Sequence, residues 1–491
     1  MLTQGKVFKT LNKTSLYIHL LSIGVSFTFF QSASAAYTRP VGWTDMKAVD
    51  LQPVVRAQFA TQSNLHQATF SESVIDYVLR DADHKVNKEF QIPSEIKSST
   101  GFWLRIYTQY STQQVVLFDA NHMDTIYEVL DFRELAQKSK SQMMYEIVSN
   151  NRLTKALSLY KKAFAALAKN PRPKNPTREQ KNILAQHKDP KHRQSFLDLE
   201  ASFKVMRGQR DNIVNGLLAA ESFFPKMEMI FSRMNVPKEL TRISLVESSF
   251  NLRATSKVGA SGVWQFMPHI GKKYLTINDQ MEIDERRSPL KSTAAAAKML
   301  RWNQHYLGSW PLAIIAYNHG LKNLPKLKDK SADFSKIAYL FQSSTGKKKP
   351  PLGWASRSYY AEFLAVLYAE TYRKIFYGDI PHGPVRPMTF QQLTKSESAI
   401  TYAMEKAISL KEFSSLNADI ENIRKPLPKG FWVAVPGESD NITEFVDVAL
   451  GKKKSSHQHL ASHVTHHASR HSTHHSTHHP AHASKRKKHH A

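Results

Sequence analysis

One glutamate, Glu247, is the best candidate for chemistry in this sequence. It lies between apolar residues in the stretch Leu245–Phe250, and the 31 residues from Ser248 to Asn278 contain no aspartate or glutamate. A carboxyl group with apolar neighbours and no cationic partner keeps its proton to a higher pH, as a general acid must. The sequence therefore predicts a raised pKa for Glu247 and a role as proton donor.

Helical patterns surround this glutamate. Apolar residues recur at helical spacing from Asp211 to Met234, which predicts one long amphipathic helix. Pro237 opens a shorter helix, Lys238–Ser248, with Glu247 in its last turn, where the negative end of the helix dipole also disfavours the ionised carboxylate. Three further helices are predicted at 294–305, 310–318 and 357–375.

The region before these helices is predicted to be mixed. Phe102–Thr108 and Gln114–Phe118 have the aromatic and β-branched content of short strands separated by a turn. The basic segment from about residue 132 to 207 has a helical pattern, and the prolines between Pro171 and Pro176 break it into an antiparallel pair. We expect a solvated helical hairpin without a functional site there.

Three motifs combine at and after Glu247. They are Glu247-Ser248-Ser249-Phe250-Asn251, the stretch SKVGASGVWQFMP at 256–268, and Ala316-Tyr317-Asn318-His319-Gly320. In this order and spacing they resemble the lytic transglycosylase domain of the goose-type lysozyme superfamily, over Gly208 to about Ala365. The resemblance implies a mainly α fold: a lysozyme-like (SLT-type) helical catalytic domain with a small mixed α/β N-terminal region and a LysM-like C-terminal appendage.

The resemblance also implies a reaction. The β-1,4 bond between N-acetylmuramic acid and N-acetylglucosamine is cleaved by the muramoyl 6-hydroxyl, which leaves a 1,6-anhydro end. Glu247 would protonate the leaving oxygen and then accept the proton of that hydroxyl. A two-carboxylate glycosidase needs its second acid within about 5–9.5 Å of the first. The resemblance places the next acids in a structural turn; they are Asp279, Glu282, Asp284 and Glu285.

The resemblance assigns further residues to the cleft. Ser256, Gln265 and Met267 are implied to line it and bind substrate. Tyr317 matches the tyrosine whose hydroxyl lies near the catalytic carboxyl, and Asn318 matches the asparagine beside it. No metal and no cofactor is implied.

Other residues of the motifs are expected to be structural. Trp264 is favoured as a core residue and His319 as a structural or cleft-rim residue. Gly259 and Gly262 are expected to permit a tight turn that lets a sugar approach the backbone.

The amino-acid composition limits which cellular compartment and which binding partners are expected. The chain has 491 residues, no cysteine and a formal net charge of +27. Residues 1–35 have the basic start, apolar run and Ala33-Ser34-Ala35 ending of a cleavable secretory signal. We therefore expect export to the periplasm or cell envelope, without a cysteine-linked lipid. The positive charge favours a polyanionic partner such as peptidoglycan, and export argues against nucleic acid.

The C-terminal part divides into two segments. Residues 381–440 are similar, around Pro426–Pro436, to the later part of LysM-like wall-binding modules, but the first strand and the Gly-Asp turn are not visible. Wall binding and a structural appendage therefore both stay open. Residues 441–491 form a His/Lys-rich tail, expected to be disordered and to contact anionic wall or membrane groups, with zinc or copper capture as the alternative.

The predicted domains are a signal peptide (1–35), an N-terminal mixed region (36–205), the catalytic domain (206–380), the LysM-like segment (381–440) and the tail (441–491). Three functions stay open: a lytic transglycosylase, a catalytically silent peptidoglycan-binding or scaffold protein, and a lysozyme-type hydrolase. The presence of Glu247, Gln265 and Tyr317 together favours the transglycosylase. A second carboxylate near Glu247 in the fold would favour hydrolysis.

Overall fold

The computed structural model describes residues 70–187, 193–324, 334–341, 352–380, 387–438 and 441–452, which are mainly helical. The α-helices are α1 (Glu72–Leu79), α2 (Lys97–Thr108), α3 (Arg133–Lys138), α4 (Gln142–Lys169), α5 (Arg178–Gln186), α6 (Arg193–Ser202), α7 (Arg210–Ala220), α8 (Phe224–Arg233), α9 (Ile243–Ser248), α10 (Pro268–Gly271), α11 (Pro289–Leu307), α12 (Trp310–His319), α13 (Phe334–Ile337), α14 (Trp354–Thr371), α15 (Arg373–Tyr377), α16 (Ala399–Glu405), α17 (Leu410–Leu416) and α18 (Ile442–Ala449). The strands are β1 (Gln114–Asp119), β2 (Ile126–Asp131), β3 (Phe203–Arg207), β4 (Ile277–Asn278), β5 (Ile283–Asp284), β6 (Met388–Gln392), β7 (Glu397–Ser398), β8 (Pro426–Leu427) and β9 (Trp432–Pro436).

The predicted signal segment and the histidine-rich part of the predicted tail lie outside the described residues. Within the described ranges, no helix combines the length and the apolar character needed to cross a membrane.

An antiparallel sheet of order β2-β1-β3 organises the N-terminal region. Successive side chains of a strand point to opposite faces, so β1 contributes side chains to two hydrophobic cores. Val115 and Leu117 pack with α4, α5 and α6, whereas Val116 and Phe118 join the main core together with the catalytic helices. The predicted domain boundary at residue 205 therefore falls inside β3, and part of the N-terminal region belongs to the catalytic core.

Two secondary-structure predictions are wrong. Phe102–Thr108 belongs to helix α2 instead of a strand, because a short apolar run that is buried on nearly all sides has no helical polar face to reveal it. The long helix predicted from Asp211 to Met234 is two helices, α7 and α8. Pro225 lies in the first turn of α8, the place where a helix tolerates proline.

Helix α14 is the centre of the main core. Nearly every residue from Ser358 to Ala369 is buried, as expected of a helix surrounded by other elements. It packs against α2 from the N-terminal region and against α9 and α12 from the catalytic part. Helix α14 thus connects the region outside the recognised motifs to the helix that carries Glu247.

The C-terminal segment is a β-α-α-β unit with its own small core. Strands β6 and β9 pair in antiparallel register from Met388↔Pro436 to Gln392↔Trp432, with α16 and α17 between them in sequence. The sequence had given no sign of β6. Helix α18 follows and buries Ile442, Phe445 and Val446, so the ordered chain continues past the predicted tail boundary at residue 441.

Candidate active site

The end of helix α9 holds Glu247 in a fixed position. Ser249 and Phe250 follow with φ angles of 49° and 58°, in the left-handed region that non-glycine residues rarely adopt. The Ser249 N–H donates to the Leu245 carbonyl at 2.9 Å, and the Phe250 ring is buried. A Cβ on Gly216 would lie 2.5 Å from the Ser249 carbonyl oxygen, so α7 approaches this turn closely. Backbone strain of this kind clusters at functional sites.

The Glu247 carboxyl is desolvated and has a hydroxyl as its partner. Burial raises its pKa from 4.5 to about 7, and a hydrogen bond donated by the Tyr359 hydroxyl acts in the opposite direction. The residue as a whole keeps some exposure to solvent, which a proton donor to an external substrate needs. No ion pair to Glu247 is present among the described residues. The predicted raised pKa is confirmed, and burial is its main cause.

Tyr359, and not Tyr317, donates to the Glu247 carboxyl. The Tyr317 hydroxyl donates to the Trp264 carbonyl at 2.8 Å, although the charge of Glu247 contributes to raising the pKa of Tyr317. Tyr317 therefore lies close to the carboxyl without bonding it. Tyr359 lies in the helix predicted at 357–375, but nothing in its spacing indicated that it would point at Glu247.

The loop between α9 and α10 carries three of the predicted substrate-binding residues. The Ser256 hydroxyl accepts from the Ala260 N–H at 2.9 Å, so it closes the loop. Gln265 has a left-handed φ of 48°, and its amide nitrogen donates to the Gly262 carbonyl at 2.8 Å. Met267 is half-buried and precedes α10. Among the described residues, no hydrogen bond to the Gln265 side-chain oxygen is present, and Met267 keeps partial exposure to solvent.

The backbone of Arg286 approaches Gly262 closely, and the expected approach of a sugar to this turn stays a prediction. A Cβ there would lie 1.8 Å from the Arg286 carbonyl oxygen, so glycine is required for packing. The Arg286 guanidinium donates to the carbonyls of Gly259 and Phe266 at 2.7 and 3.0 Å. Asp284 binds that guanidinium through both carboxylate oxygens, at 2.9 and 2.8 Å. This part of the predicted structural turn therefore supports the cleft loop.

Asn318 and His319 meet the first turn of α14. The Ser356 hydroxyl donates to the Asn318 side-chain oxygen at 3.3 Å and lies 2.9 Å from His319 Nδ1. His319 thus contacts the start of α14, and its role as a structural or cleft-rim residue stays a prediction. Trp264 is fully buried, and its indole N–H donates to the Thr293 hydroxyl at 3.0 Å, which confirms its core position.

A second carboxyl, Glu362, lies close enough to Glu247 for their charges to interact. It is only 5% exposed and follows Tyr359 by one helical turn. Burial raises its pKa well above 4.5, with the charge of Glu247 adding to the effect. Burial therefore disfavours the ionised form of Glu362, which is the form that the second acid of a two-carboxylate hydrolase uses. Sequence reasoning missed it because it lies 115 residues downstream, on another helix.

Among the residues that the structure describes, no group of three or more His, Cys, Asp or Glu side chains could hold a metal ion.

A mainly helical core presents the desolvated carboxyl of Glu247 beside a glycine-containing loop. Residues 229–340 match the family model of the Transglycosylase SLT domain. The chain therefore carries a lytic transglycosylase domain of the SLT type.

The chain is similar to two curated proteins, of which the first is named as a transglycosylase. The chain is 36% identical over 124 residues to membrane-bound lytic murein transglycosylase D of Escherichia coli strain K12, which covers 24% of this chain and 27% of that protein. It is 35% identical over 104 residues to a putative tributyltin chloride resistance protein of Alteromonas sp. strain M-1, which covers 20% of this chain and 50% of that protein. The chain thus spans about a quarter of the length of the first relative and about half of the length of the second.

Proposed function

We propose that this protein is a peptidoglycan lytic transglycosylase, which cleaves the β-1,4 bond between N-acetylmuramic acid and N-acetylglucosamine and leaves 1,6-anhydromuramoyl ends. One observation carries the proposal: Glu247 has a pKa near 7, a hydroxyl partner and no ion pair among the described residues. Such a group is populated in both protonation states near neutral pH, so it can donate and later accept a proton.

The reaction needs two proton transfers at the same carboxyl. Protonated Glu247 donates to the glycosidic oxygen as the bond to the anomeric carbon breaks, and the N-acetyl group of the substrate stabilises the developing positive charge. The muramoyl 6-hydroxyl then attacks the anomeric carbon, and the Glu247 carboxylate takes its proton. Tyr359 stabilises the carboxylate between these steps by its hydrogen bond.

The substrate-binding proposal covers Ser256, Gln265, Met267, Tyr317 and Asn318. Gln265 offers its free amide oxygen, and Met267 offers a half-buried apolar contact. The other three act mainly by shape: the Ser256 hydroxyl closes the loop, Tyr317 supports Trp264, and Asn318 is oriented from α14.

The proposed place of action is the cell envelope. The relative in Escherichia coli is named as a membrane-bound murein transglycosylase, and this chain contains no cysteine. Peptidoglycan glycan strands are the proposed partner, and the basic tail is proposed to contact anionic wall or membrane groups.

We propose that the β-α-α-β unit is a docked appendage instead of an independent wall-binding module. The Lys291 ammonium binds the Asp419 carboxylate at 2.6 Å, with both side chains almost completely buried. Arg287 binds Glu421 at 2.5 Å, and the Ile283 and Ile420 backbones form a β-bridge. A module fastened by a buried ion pair does not move independently of the catalytic domain.

Digestion of purified peptidoglycan, followed by mass analysis of the products, tests the proposed function. The wild-type chain is expected to release 1,6-anhydromuropeptides, and Glu247→Gln to release them about 10²–10⁴-fold more slowly, which is the contribution of a general acid–base group. Glu405→Gln, an exposed glutamate, serves as the matched control. Reducing-end products would establish a hydrolase, and no turnover by the wild type would leave the scaffold function.

A further inference from the structure

An exposed apolar cluster lies at the start of α4, the long helix of the N-terminal region. Met143, Met144 and Ile147 are 71%, 55% and 50% exposed. Ile147 follows the two methionines by four and three residues, so the three side chains are neighbours on the helix surface. Single exposed apolar residues are ordinary, whereas a contiguous group marks an interaction surface. We call these three residues the apolar tip.

The apolar tip is separate from the face by which α4 packs into the protein. At 3.6 residues per turn, Met144 lies almost opposite Tyr160 on the helix, and Ile147 lies almost opposite Leu167. Tyr160 and Leu167 are fully buried in the core that α4 shares with α5 and α6. The apolar tip therefore does not contribute to this core.

A row of lysines continues the exposed face of α4. Lys155, Lys162 and Lys169 follow Met144 at successive intervals of 11, 7 and 7 residues, which are close to whole numbers of helical turns. All three lysines are exposed, and no ion pair to them is present among the described residues. From Met144 to Lys169 the face is about 38 Å long, at about 1.5 Å per residue. One flat surface can therefore contact the apolar tip and the lysine row together.

The segment around α4 is strongly basic. Residues 132–207 contain 17 lysines and arginines and six acids, which gives a formal net charge of +11 out of +27 for the chain. Helix α4 itself has five of these cations and one acid. Such a concentration of positive charge attracts a polyanionic surface.

The apolar tip and the lysine row together select the kind of partner. A hydrated glycan or a soluble polyanion matches the lysines but offers no apolar phase for methionine and isoleucine side chains. An anionic lipid bilayer offers both, because its headgroups carry negative charge and its acyl region accepts inserted apolar side chains. Methionine suits this use, since its unbranched side chain adapts to an irregular apolar environment.

We propose that α4 is a docking surface for an anionic lipid bilayer, with the apolar tip inserted between the headgroups and the lysine row lying on them. The β2-β1-β3 sheet separates α4 from the catalytic core, because Leu117 packs on the α4 side and Phe118 on the other. The bilayer therefore contacts the side of the N-terminal region that faces away from the catalytic core. The proposal concerns where the protein is held, and it does not depend on the reaction at Glu247.

The first test labels the apolar tip. Because the chain contains no cysteine, a single introduced cysteine is labelled selectively with an environment-sensitive nitrobenzoxadiazole dye. Met144→Cys is made in the full chain, and Met404→Cys is the matched control, since Met404 is a 73% exposed methionine of α16. Emission is recorded with vesicles of phosphatidylglycerol and phosphatidylcholine in equal parts, with phosphatidylcholine alone and with purified peptidoglycan.

The label on Met144→Cys is expected to shift to shorter wavelength with the mixed vesicles, as a dye does on entering an apolar phase, and to stay unchanged with the other two. The label on Met404→Cys is expected to stay unchanged throughout. No shift with the mixed vesicles, or an equal shift for both variants, overturns the docking surface. A shift with peptidoglycan in place of vesicles overturns the lipid partner.

The second test moves the charge change to another part of the chain. Lys155→Glu combined with Lys162→Glu is expected to weaken co-sedimentation with the mixed vesicles about tenfold, because each cation near an anionic surface contributes to binding. Lys411→Glu combined with Lys429→Glu changes the total charge equally at exposed positions of the β-α-α-β unit and should stay within twofold. Equal losses would assign binding to overall charge and overturn the docking surface. Neither test needs turnover, so a failure of the proposed reaction is distinguished from a failure of docking.

Discussion

Glu247 and Asp419 are both buried carboxyl groups, and their surroundings differ. Asp419 is 1% exposed and meets the Lys291 ammonium at 2.6 Å, and that ammonium also lies 3.6 Å from the centre of the Phe431 ring. Among the residues that the structure describes, the hydrogen-bond partner of Glu247 is the hydroxyl of Tyr359. Burial raises the pKa of both acids, but Lys291 opposes the effect at Asp419.

The difference separates two uses of a buried acid. A carboxylate paired with a cation stays ionised and fixes the position of the elements that carry the two groups. Glu247, with a neutral partner, changes protonation near neutral pH, and groups with strongly shifted pKa values cluster at functional sites. The Lys291–Asp419 pair, which we call the appendage junction, stabilises the contact between the β-α-α-β unit and the catalytic domain. The C-terminal end of α9 carries a reactive group.

The two regions are also connected. The Asp284 N–H donates to the Asp419 carbonyl at 2.9 Å, and the Asp284 carboxylate binds Arg286. Arg286 in turn donates to the carbonyls of Gly259 and Phe266 in the cleft loop. Changes at the junction are therefore expected to reach the cleft through the loop, and changes at Glu247 are not expected to reach the junction.

The largest expected effect on stability is at the junction. Asp419→Ala leaves the Lys291 ammonium buried without its closest partner, and it should lower the free energy of unfolding by about 3–5 kcal/mol. Denaturant unfolding measures the loss. Asp279→Ala, which removes an exposed acid, should change stability by less than about 0.5 kcal/mol. A similarly small effect for Asp419→Ala would show that the ion pair does not fasten the appendage.

The protonation of Glu247 is expected to have a smaller effect on stability, which appears as a dependence on pH. The pKa of Glu247 is 4.5 as an ordinary carboxyl and about 7 in the folded protein. The unfolded chain therefore releases the proton first, and folded-state stability falls as pH rises from about 4.5 to about 7. The fall is about 3 kcal/mol, at about 1.4 kcal/mol per pKa unit.

Glu247→Gln should remove this dependence. The difference in free energy of unfolding between Glu247→Gln and the wild type should shift by about 3 kcal/mol in favour of the variant as pH rises from 4 to 8. Glu405→Gln should show no such change, because this glutamate is exposed. Parallel wild-type and Glu247→Gln curves across this range would mean that the carboxyl is not desolvated.

The smallest expected effect comes from removing one hydroxyl. Tyr359→Phe removes the hydrogen bond that stabilises the Glu247 carboxylate, so the pKa of Glu247 should rise further and the pH optimum should move upward. The rate at neutral pH should fall about tenfold, since a hydrogen bond to a charged group contributes about 1.5–3 kcal/mol. Tyr368→Phe on the same helix should leave the pH profile unchanged, and a matching profile for Tyr359→Phe would remove Tyr359 from the site.

The sequence revealed the parts of the site that depend on local pattern. The position of Glu247 in the last turn of its helix, its apolar surroundings and the core position of Trp264 all follow from neighbouring residues. The partner of Glu247 could not be predicted in this way, because Tyr359 lies 112 residues away in the sequence, on another helix. Only the packing of α14 against α9 decides which hydroxyl reaches the carboxyl.

Long-range packing also limits how much of the fold can be predicted from local sequence patterns. The predicted helices near 294–305 and 310–318 have clear periodicity and are present as α11 and α12. The pattern at Phe102–Thr108 in α2 predicts a strand, because burial on nearly all sides removes the polar face that marks a helix. Strand β6 was not visible because its pairing with β9 spans about 40 residues of sequence. Long-range packing determined each of these outcomes.

The most direct test of this account is a titration of the Glu247 carboxyl itself. Selective ¹³C labelling of glutamate side chains and NMR spectra across pH 3–9 would follow it, with Glu247→Gln identifying the signal. We expect a midpoint of about 7, because burial without a cation favours the protonated form. A midpoint near 4.5 would contradict the assignment of Glu247 as a group that both donates and accepts the proton.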